Sequence, residues 1–170
     1  MKGWSITTWL WVTAIICLAA VGAAMWTQYT FDWRPCPWCI LQRVIFVAIA
    51  IVCLITTAIR GVTARAVPII IAFVLTLLGM AAALWQHFVA AKSTSCSLTF
   101  ADKLLTELKL DLLLPSVFEV TGSCADAAVS LWNVPFEFYS LALYVVLAIM
   151  LVRMLVVLPR DPGMRPAYLR

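Results

Sequence analysis

The residues best suited to chemistry are cysteines. Cys36 and Cys39 stand in the stretch RPCPWCILQR, with Arg43 four residues after the second thiol. Cys96 and Cys124 follow in a later, more polar region, while Cys17 and Cys53 lie inside apolar runs. A Cys-x-x-Cys pair closes a small ring that cycles readily between dithiol and disulfide. As a staple it gains little, because the entropy removed by a cross-link shrinks with loop length. Pro37 fits the first position of a helix, which puts Cys36 at the N-cap and Cys39 in the first turn. The positive end of a helix favours a thiolate there. Arg43 falls on the same face one turn deeper and adds a second positive group. Arg43 also has a plainer reading, as an interfacial arginine that snorkels to lipid headgroups.

Three chemistries stay open for Cys36, Cys39, Cys96 and Cys124. One is a zinc site of four thiolates, although the 28-residue separation of Cys96 and Cys124 lacks the paired spacing of zinc ribbons. A second is two inert staples. The third, favoured by spacing, is a redox relay. Cys17 and Cys53 read most simply as small apolar side chains.

The elements that position these residues follow from composition. The chain has 170 residues, of which 65% are hydrophobic and 12% charged, with a mean hydropathy of +1.03. A soluble domain is nearer half apolar and a quarter charged, and so small a globule has no interior for the excess. The solvent is therefore read as lipid. Four runs reach the roughly 20 residues that a helix needs to cross it: about 6–28, 38–59, 66–91 and 138–158. Helices are expected because unpaired backbone is costly in hydrocarbon. Pro35, Pro37, Pro68, Pro135 and Pro159 are read as boundary markers. The first run is longer than the apolar core of an ordinary signal peptide, so it is read as a retained span. With no internal repeat or low-complexity tract, residues 1–170 are read as one four-helix membrane unit.

Charge orients that unit. The N-terminus, the loop between spans two and three, and the C-terminal tail carry seven basic residues against Asp161 alone. The other side carries five basic and seven acidic residues. The basic bias puts the first side in the cytoplasm, so the net charge of +4 is a topology signal rather than a nucleic-acid footprint. The loops at about 29–37 and 92–137 then lie outside, and all four loop cysteines lie in them. Trp26, Tyr29, Trp33, Trp38 and Trp85 cluster near that boundary, as interfacial aromatics do. In the long loop, Phe100, Leu104, Leu105, Leu108 and Leu112 fall at helical spacing behind a possible Thr99 cap. They predict a short amphipathic helix, resting either on the membrane surface or on other outer-loop residues.

An outward face is where disulfides persist. Electrons leaving the thiols need an acceptor, and no nucleotide-binding glycine motif is present. His87 is the only histidine, which excludes a bis-histidine haem within one chain, and its plain reading is an interfacial polar tip. A lipid quinone remains by elimination: it accepts two electrons, the number one dithiol releases.

Cys36-Pro-Trp-Cys39-Ile-Leu-Gln-Arg43 resembles the C-x-x-C-x-x-Q-R signature of the DsbB family of bacterial disulfide-generating membrane proteins. The likeness continues through four spans, His87 at the end of the third, Cys96 after it, and Gly122-Ser-Cys124 late in the long loop. It implies an all-α, four-transmembrane-helix bundle in the bacterial inner membrane, acting as a thiol:quinone oxidoreductase. The implied partner is a DsbA-like periplasmic oxidase of thioredoxin fold, and the implied cofactor is ubiquinone or menaquinone. Cys96 and Cys124 would form the disulfide that accepts electrons, with Cys96 making the mixed disulfide with the partner. Cys124 would pair transiently with Cys36, Cys39 would be the thiolate contacting the quinone with help from Arg43, and His87 would lie near it. Many relatives carry Met-Pro-x-Trp before the fourth span, where this chain reads Val134-Pro135-Phe136-Glu137. The direction of flow is reasonable, since DsbA sits near −120 mV and a glutathione pool near −200 mV could not draw electrons from it. The vitamin K epoxide reductase family is a nearby alternative, but its Cys-x-x-Cys comes in the last helix, whereas here it comes first.

Overall fold

The computed structural model describes residues 5–90, 100–109, 114–122, 130–131 and 134–160. Four long apolar helices dominate: α1 (Ile6–Phe31), α2 (Pro37–Ala58), α3 (Val62–Phe88) and, after the loop elements, α6 (Phe136–Val157). Each is long and apolar enough to cross a membrane. Large apolar side chains such as Ile15, Ile55, Leu78 and Ile149 are exposed on the outer faces of the bundle. Such a belt suits lipid as solvent.

Local signals set the helix ends. Ser5 caps α1, its Oγ accepting the Thr8 N–H at 3.2 Å. At the other end Asp32 turns left-handed (φ 52°) and the Trp33 N–H returns to the Gln28 carbonyl at 3.1 Å, a Schellman closure. The prolines at 35 and 37 then hold the chain extended before α2 begins. Gly61 supplies the positive φ (103°) between α2 and α3. Arg65 satisfies the carbonyls left open at the end of α2, with Nε to Ile59 O at 2.6 Å and Nη2 to Thr57 O at 3.4 Å. Its Nη1 also reaches Thr7 Oγ1 at 3.3 Å, so one buried guanidinium ties three helices together.

The helices pack in chain order, α1 on α2, α2 on α3 and α3 on α6, with only a light contact between α6 and α1. Ile6, Leu10 and Cys17 of α1 share the core with Ile49 and Cys53 of α2, Ile69 and Ala72 of α3, and Leu147 and Leu151 of α6. Tyr144 is its centrepiece. The ring stacks on Phe46 at 4.3 Å and 3°, and the hydroxyl donates to the Gln42 carbonyl at 3.1 Å. Gly79 makes room for it, because a Cβ there would overlap the ring.

The predicted spans hold, with shifted ends. The third begins at Val62 rather than about residue 66, and Pro68 sits inside α3 rather than at its boundary. The apolar run underestimates the helix because the first turn, at the edge of the core, carries Arg65 inward instead of presenting a charge to lipid. The fourth begins at Phe136, directly after a small antiparallel ladder of β1 (Ser130–Leu131) and β2 (Val134–Pro135), with Ser130 opposite Pro135.

The amphipathic helix is present as α4 (Phe100–Leu108), and a single turn, α5 (Pro115–Phe118), follows it. Thr99 and Leu112 lie outside the described residues. α4 packs on α2 and on the loop residue Phe118, so the expected rest on other loop residues is met in part, with α2 as the further support. Leu105 joins Ile40 and Phe118 in a small apolar cluster, with Lys103 and Glu107 facing outward. The outward face of α2 at Ile40 and Val44 is apolar enough to receive it.

Candidate functional site

Cys36 is the N-cap of α2 and Pro37 its first residue, as the stretch predicts. The Cys36 Sγ accepts the Cys39 N–H at 3.4 Å, and the two sulfurs lie 3.0 Å apart. Both thiols are free. At that separation the sulfurs are beyond the bond length of about 2.05 Å but near enough to share a proton. The hydrogen bond with Cys39, followed by burial, holds the Cys36 thiol above the ordinary thiol range. Cys36 therefore keeps its proton and donates it toward Cys39.

Cys39 receives a second donor. Gln86 of α3 points its Nε2 at Cys39 Sγ at 3.2 Å, and the Gln86 Oε1 accepts from Gln42 Nε2 at 2.7 Å. Both glutamines are buried. A buried amide pair of this kind holds its geometry, because breaking it would leave unsatisfied polar groups.

Arg43 is only 6% exposed. Its Nη1 donates to the Val117 carbonyl of α5 at 3.0 Å and its Nη2 to the Ala24 carbonyl of α1 at 3.5 Å. This is a guanidinium turned into the bundle, and the snorkelling alternative does not describe it. Its Nε has no hydrogen-bond partner among the described residues.

Beside these residues lies a cavity of about 290 Å³. It occupies the gap left by the light α1–α6 contact, where Ala20, Ala23 and Ala24 of α1 are too small to fill the space. Cys39, Gln42, Arg43 and Phe46 of α2 line it, with Gln86 of α3 and Phe136, Glu137, Tyr139 and Leu143 of α6. A shallower recess shares Cys39, Arg43 and Phe136 and continues toward Trp33–Pro35. The wall is mostly apolar with a few convergent polar groups, the usual make-up of a small-ligand site. An aromatic ring with a hydrocarbon tail suits that wall, and the Arg43 guanidinium within it suits a carbonyl oxygen on such a ring.

His87 is not part of the cavity wall. Its Nδ1 meets Glu137 Oε1 at 2.7 Å, and its ring rests against Phe88 and Phe138. Glu137 lines the cavity instead, with its Oε2 unpartnered among the described residues. Cys96 and Cys124 lie outside the described residues. Gly122 does not. The Thr121 and Gly122 N–H groups both donate to the Pro35 carbonyl, at 3.2 and 3.1 Å, beside Cys36. A Cβ on Gly122 would come within 2.7 Å of the Arg34 carbonyl oxygen, so the close approach requires glycine.

Sequence reasoning missed Gln86 and Glu137 and left Gln42 without a role. A signal existed: each is a polar side chain in or at the end of an otherwise apolar run, where polar groups are expensive. Nothing in the spacing said that the three would converge.

A profile of the family described as "Disulfide bond formation protein DsbB" matches residues 6–154. A Disulfide bond formation protein B of Herminiimonas arsenicoxydans is 29% identical over 84% of this chain and 90% of its own length. Disulfide bond formation protein B 1 of Pseudomonas savastanoi pv. phaseolicola is 34% identical over 80% of this chain and 81% of its own. The like-named protein of Pseudomonas syringae pv. syringae matches to the same extent.

Proposed function

The chain belongs to the DsbB family of disulfide bond formation proteins, multi-pass membrane proteins with an oxidoreductase role, and from that premise we propose that it is a thiol:quinone oxidoreductase of the bacterial inner membrane. In this reading it reoxidises a DsbA-like periplasmic oxidase and passes two electrons to ubiquinone or menaquinone. Residues 1–170 serve as one unit, with both termini cytoplasmic and the four loop cysteines periplasmic.

The observation that carries the proposal is the arrangement around Cys39. One sulfur accepts from Cys36 and from Gln86, shares a cavity with a buried guanidinium, and sits on a helix N-terminus. Donors and positive charge gathered on one side favour a thiolate and stabilise negative charge arising in the cavity. A quinone, when bound, supplies a lipid-soluble acceptor for two electrons. Arg43 brings a guanidinium to the cavity wall that suits a carbonyl oxygen, and the alanines of α1 leave room for an apolar ring. In the reduced pair Cys36 keeps its proton, which makes Cys39 the electron-rich member.

The other half of the relay is Cys96 and Cys124. Cys96 takes the mixed disulfide with the partner, and Cys124 exchanges with Cys36. Only Ser123 separates Cys124 from Gly122, a span of about 7 Å at full extension. The docking of Gly122 on Pro35 therefore supports an exchange between the two loops. His87 acts at the edge of the site, through Glu137.

The test is reconstitution. Purified protein with reduced DsbA-like partner should reduce added ubiquinone-1. Cys39→Ser should abolish quinone reduction, and Cys96→Ser should block transfer from the partner. Full turnover by Cys39→Ser would overturn the assignment.

A further inference from the structure

Glu137 is the least expected residue of the cavity wall. It is a carboxylate whose side chain is only 4% exposed, in the first turn of a membrane helix. Burial of such a group is costly unless it is paired. Its Oε1 is paired with His87 Nδ1 at 2.7 Å, a separation that requires a proton between the two atoms. Its Oε2 is buried, has no partner among the described residues, and belongs to a side chain that lines the cavity. His87 differs. Its side chain is 31% exposed, it stands in the last turn of α3 at the loop-bearing end of the bundle, and it is not in the cavity wall. One member of the pair is thus partly exposed at the surface, and the other belongs to the cavity wall.

We propose that His87 and Glu137 form a proton relay from the loop-bearing surface into the cavity. The proposal rests on the quinone reading above and adds to it the route of one proton. Two electrons and two protons turn a quinone into its quinol. As Cys36 and Cys39 form their S–S bond, the two sulfurs give up the electron pair. Cys36 gives up its S–H proton across the 3.0 Å contact to Cys39 Sγ, which hands it on to the quinone as the bond forms. Cys39, as thiolate, has none of its own to give. Glu137 supplies the second, releasing it from Oε2 while Oε1 takes a proton from His87 Nδ1. His87 is refilled through Nε2 from the exterior. The proton shed by Cys39 when the pair was last reduced makes up the balance.

Other groups that bear on Glu137 are few. Among the cavity-lining residues α2 contributes Cys39 and Arg43, α6 contributes Tyr139, α3 contributes the uncharged Gln86, and α1 contributes no titratable side chain. Phe88 and Phe138 flank His87. Arg43 holds negative charge in the cavity but stays protonated, so it supplies no proton.

The test uses the full chain with Glu137→Gln, which keeps the shape and can still accept from His87 but cannot carry a proton. Binding of ubiquinone-1, read by quenching of tryptophan fluorescence, should be unchanged. Exchange of the Cys36–Cys39 pair with glutathione should also be unchanged, which checks the fold. Single-turnover reduction of ubiquinone-1 by the pre-reduced protein should fall about 100-fold, the lower range for removal of a general acid. The residual rate should rise as pH falls, with free hydronium replacing the relay. His87→Ala should slow the same step, and added imidazole should restore it. Wild-type rates in Glu137→Gln at every pH around neutrality would overturn the relay. So would a loss of ubiquinone-1 affinity large enough to account for the slower rate. If the wild-type protein itself reduced no quinone, the parent reading would fail instead.

Discussion

Replacing Gly122 with alanine should uncouple the two outer loops while leaving the membrane bundle intact. The new Cβ would stand 2.7 Å from the Arg34 carbonyl oxygen and 3.1 Å from its carbonyl carbon. Those are backbone atoms and have no rotamer by which to retreat. Relief to an ordinary contact of about 3.5 Å moves the segment by about 0.8 Å. The Thr121 and Gly122 N–H bonds to Pro35 are already 3.2 and 3.1 Å, so such a move carries both past the range of a good hydrogen bond. Each contributes about 0.5–1.5 kcal/mol net. Losing both costs about 1–3 kcal/mol, which lowers the docked population about 5- to 150-fold. In the proposed relay, Cys124 exchanges with Cys36 from the docked arrangement. The assay mixes the protein with reduced DsbA-like partner, quenches in acid, alkylates, and counts Cys36–Cys124 linked peptides by mass. The link should form correspondingly slower in Gly122→Ala. Quinone affinity should not change, because Gly122 does not line the cavity. A wild-type rate of link formation would refute the reasoning that this close approach sets the exchange.

Arg43→Ala should weaken apparent ubiquinone-1 affinity about tenfold or more, the loss expected for a hydrogen bond to a charged group of about 1.5–3 kcal/mol; unchanged fluorescence quenching would return Arg43 to a purely structural role. Gly79→Ala forces a methyl into the Tyr144 ring, which is held by Phe46 and by its bond to Gln42, so it should destabilise the bundle by about 1–3 kcal/mol. Thermal unfolding in detergent checks that, and an unshifted midpoint would contradict it. In the reduced protein, the raised Cys36 thiol stays protonated at neutral pH and becomes reactive only as pH climbs. Iodoacetamide at neutral pH should therefore label Cys39 first. In Cys39→Ser the leading cause of the rise is gone, so Cys36 should become reactive at lower pH, read by mass mapping.

Much of this protein is legible along the chain. Lipid as solvent follows from composition, and the four spans from run length, because a helix crossing hydrocarbon must satisfy its backbone internally and show apolar side chains outward. Cys36 at the cap, Pro37 at the first position and Cys39 in the first turn are local consequences of proline and of helix geometry. Helical spacing also reveals α4, but not its resting place. One apolar face looks the same whether lipid or α2 covers it, and the burial of Leu105 against Ile40 depends on residues 65 positions apart.

What tertiary structure alone decided is the set of encounters between helices. Gln86 reaches Cys39, Arg43 reaches Val117 and Ala24, and His87 pairs with Glu137, across separations of 19 to 74 residues. The cavity exists because α1 and α6 barely touch, and no single helix encodes a gap between two others. Periodicity records the direction a side chain leaves its own axis. The partner it finds is set by how helices cross and by which small residues let them approach, and those are properties of the assembled bundle.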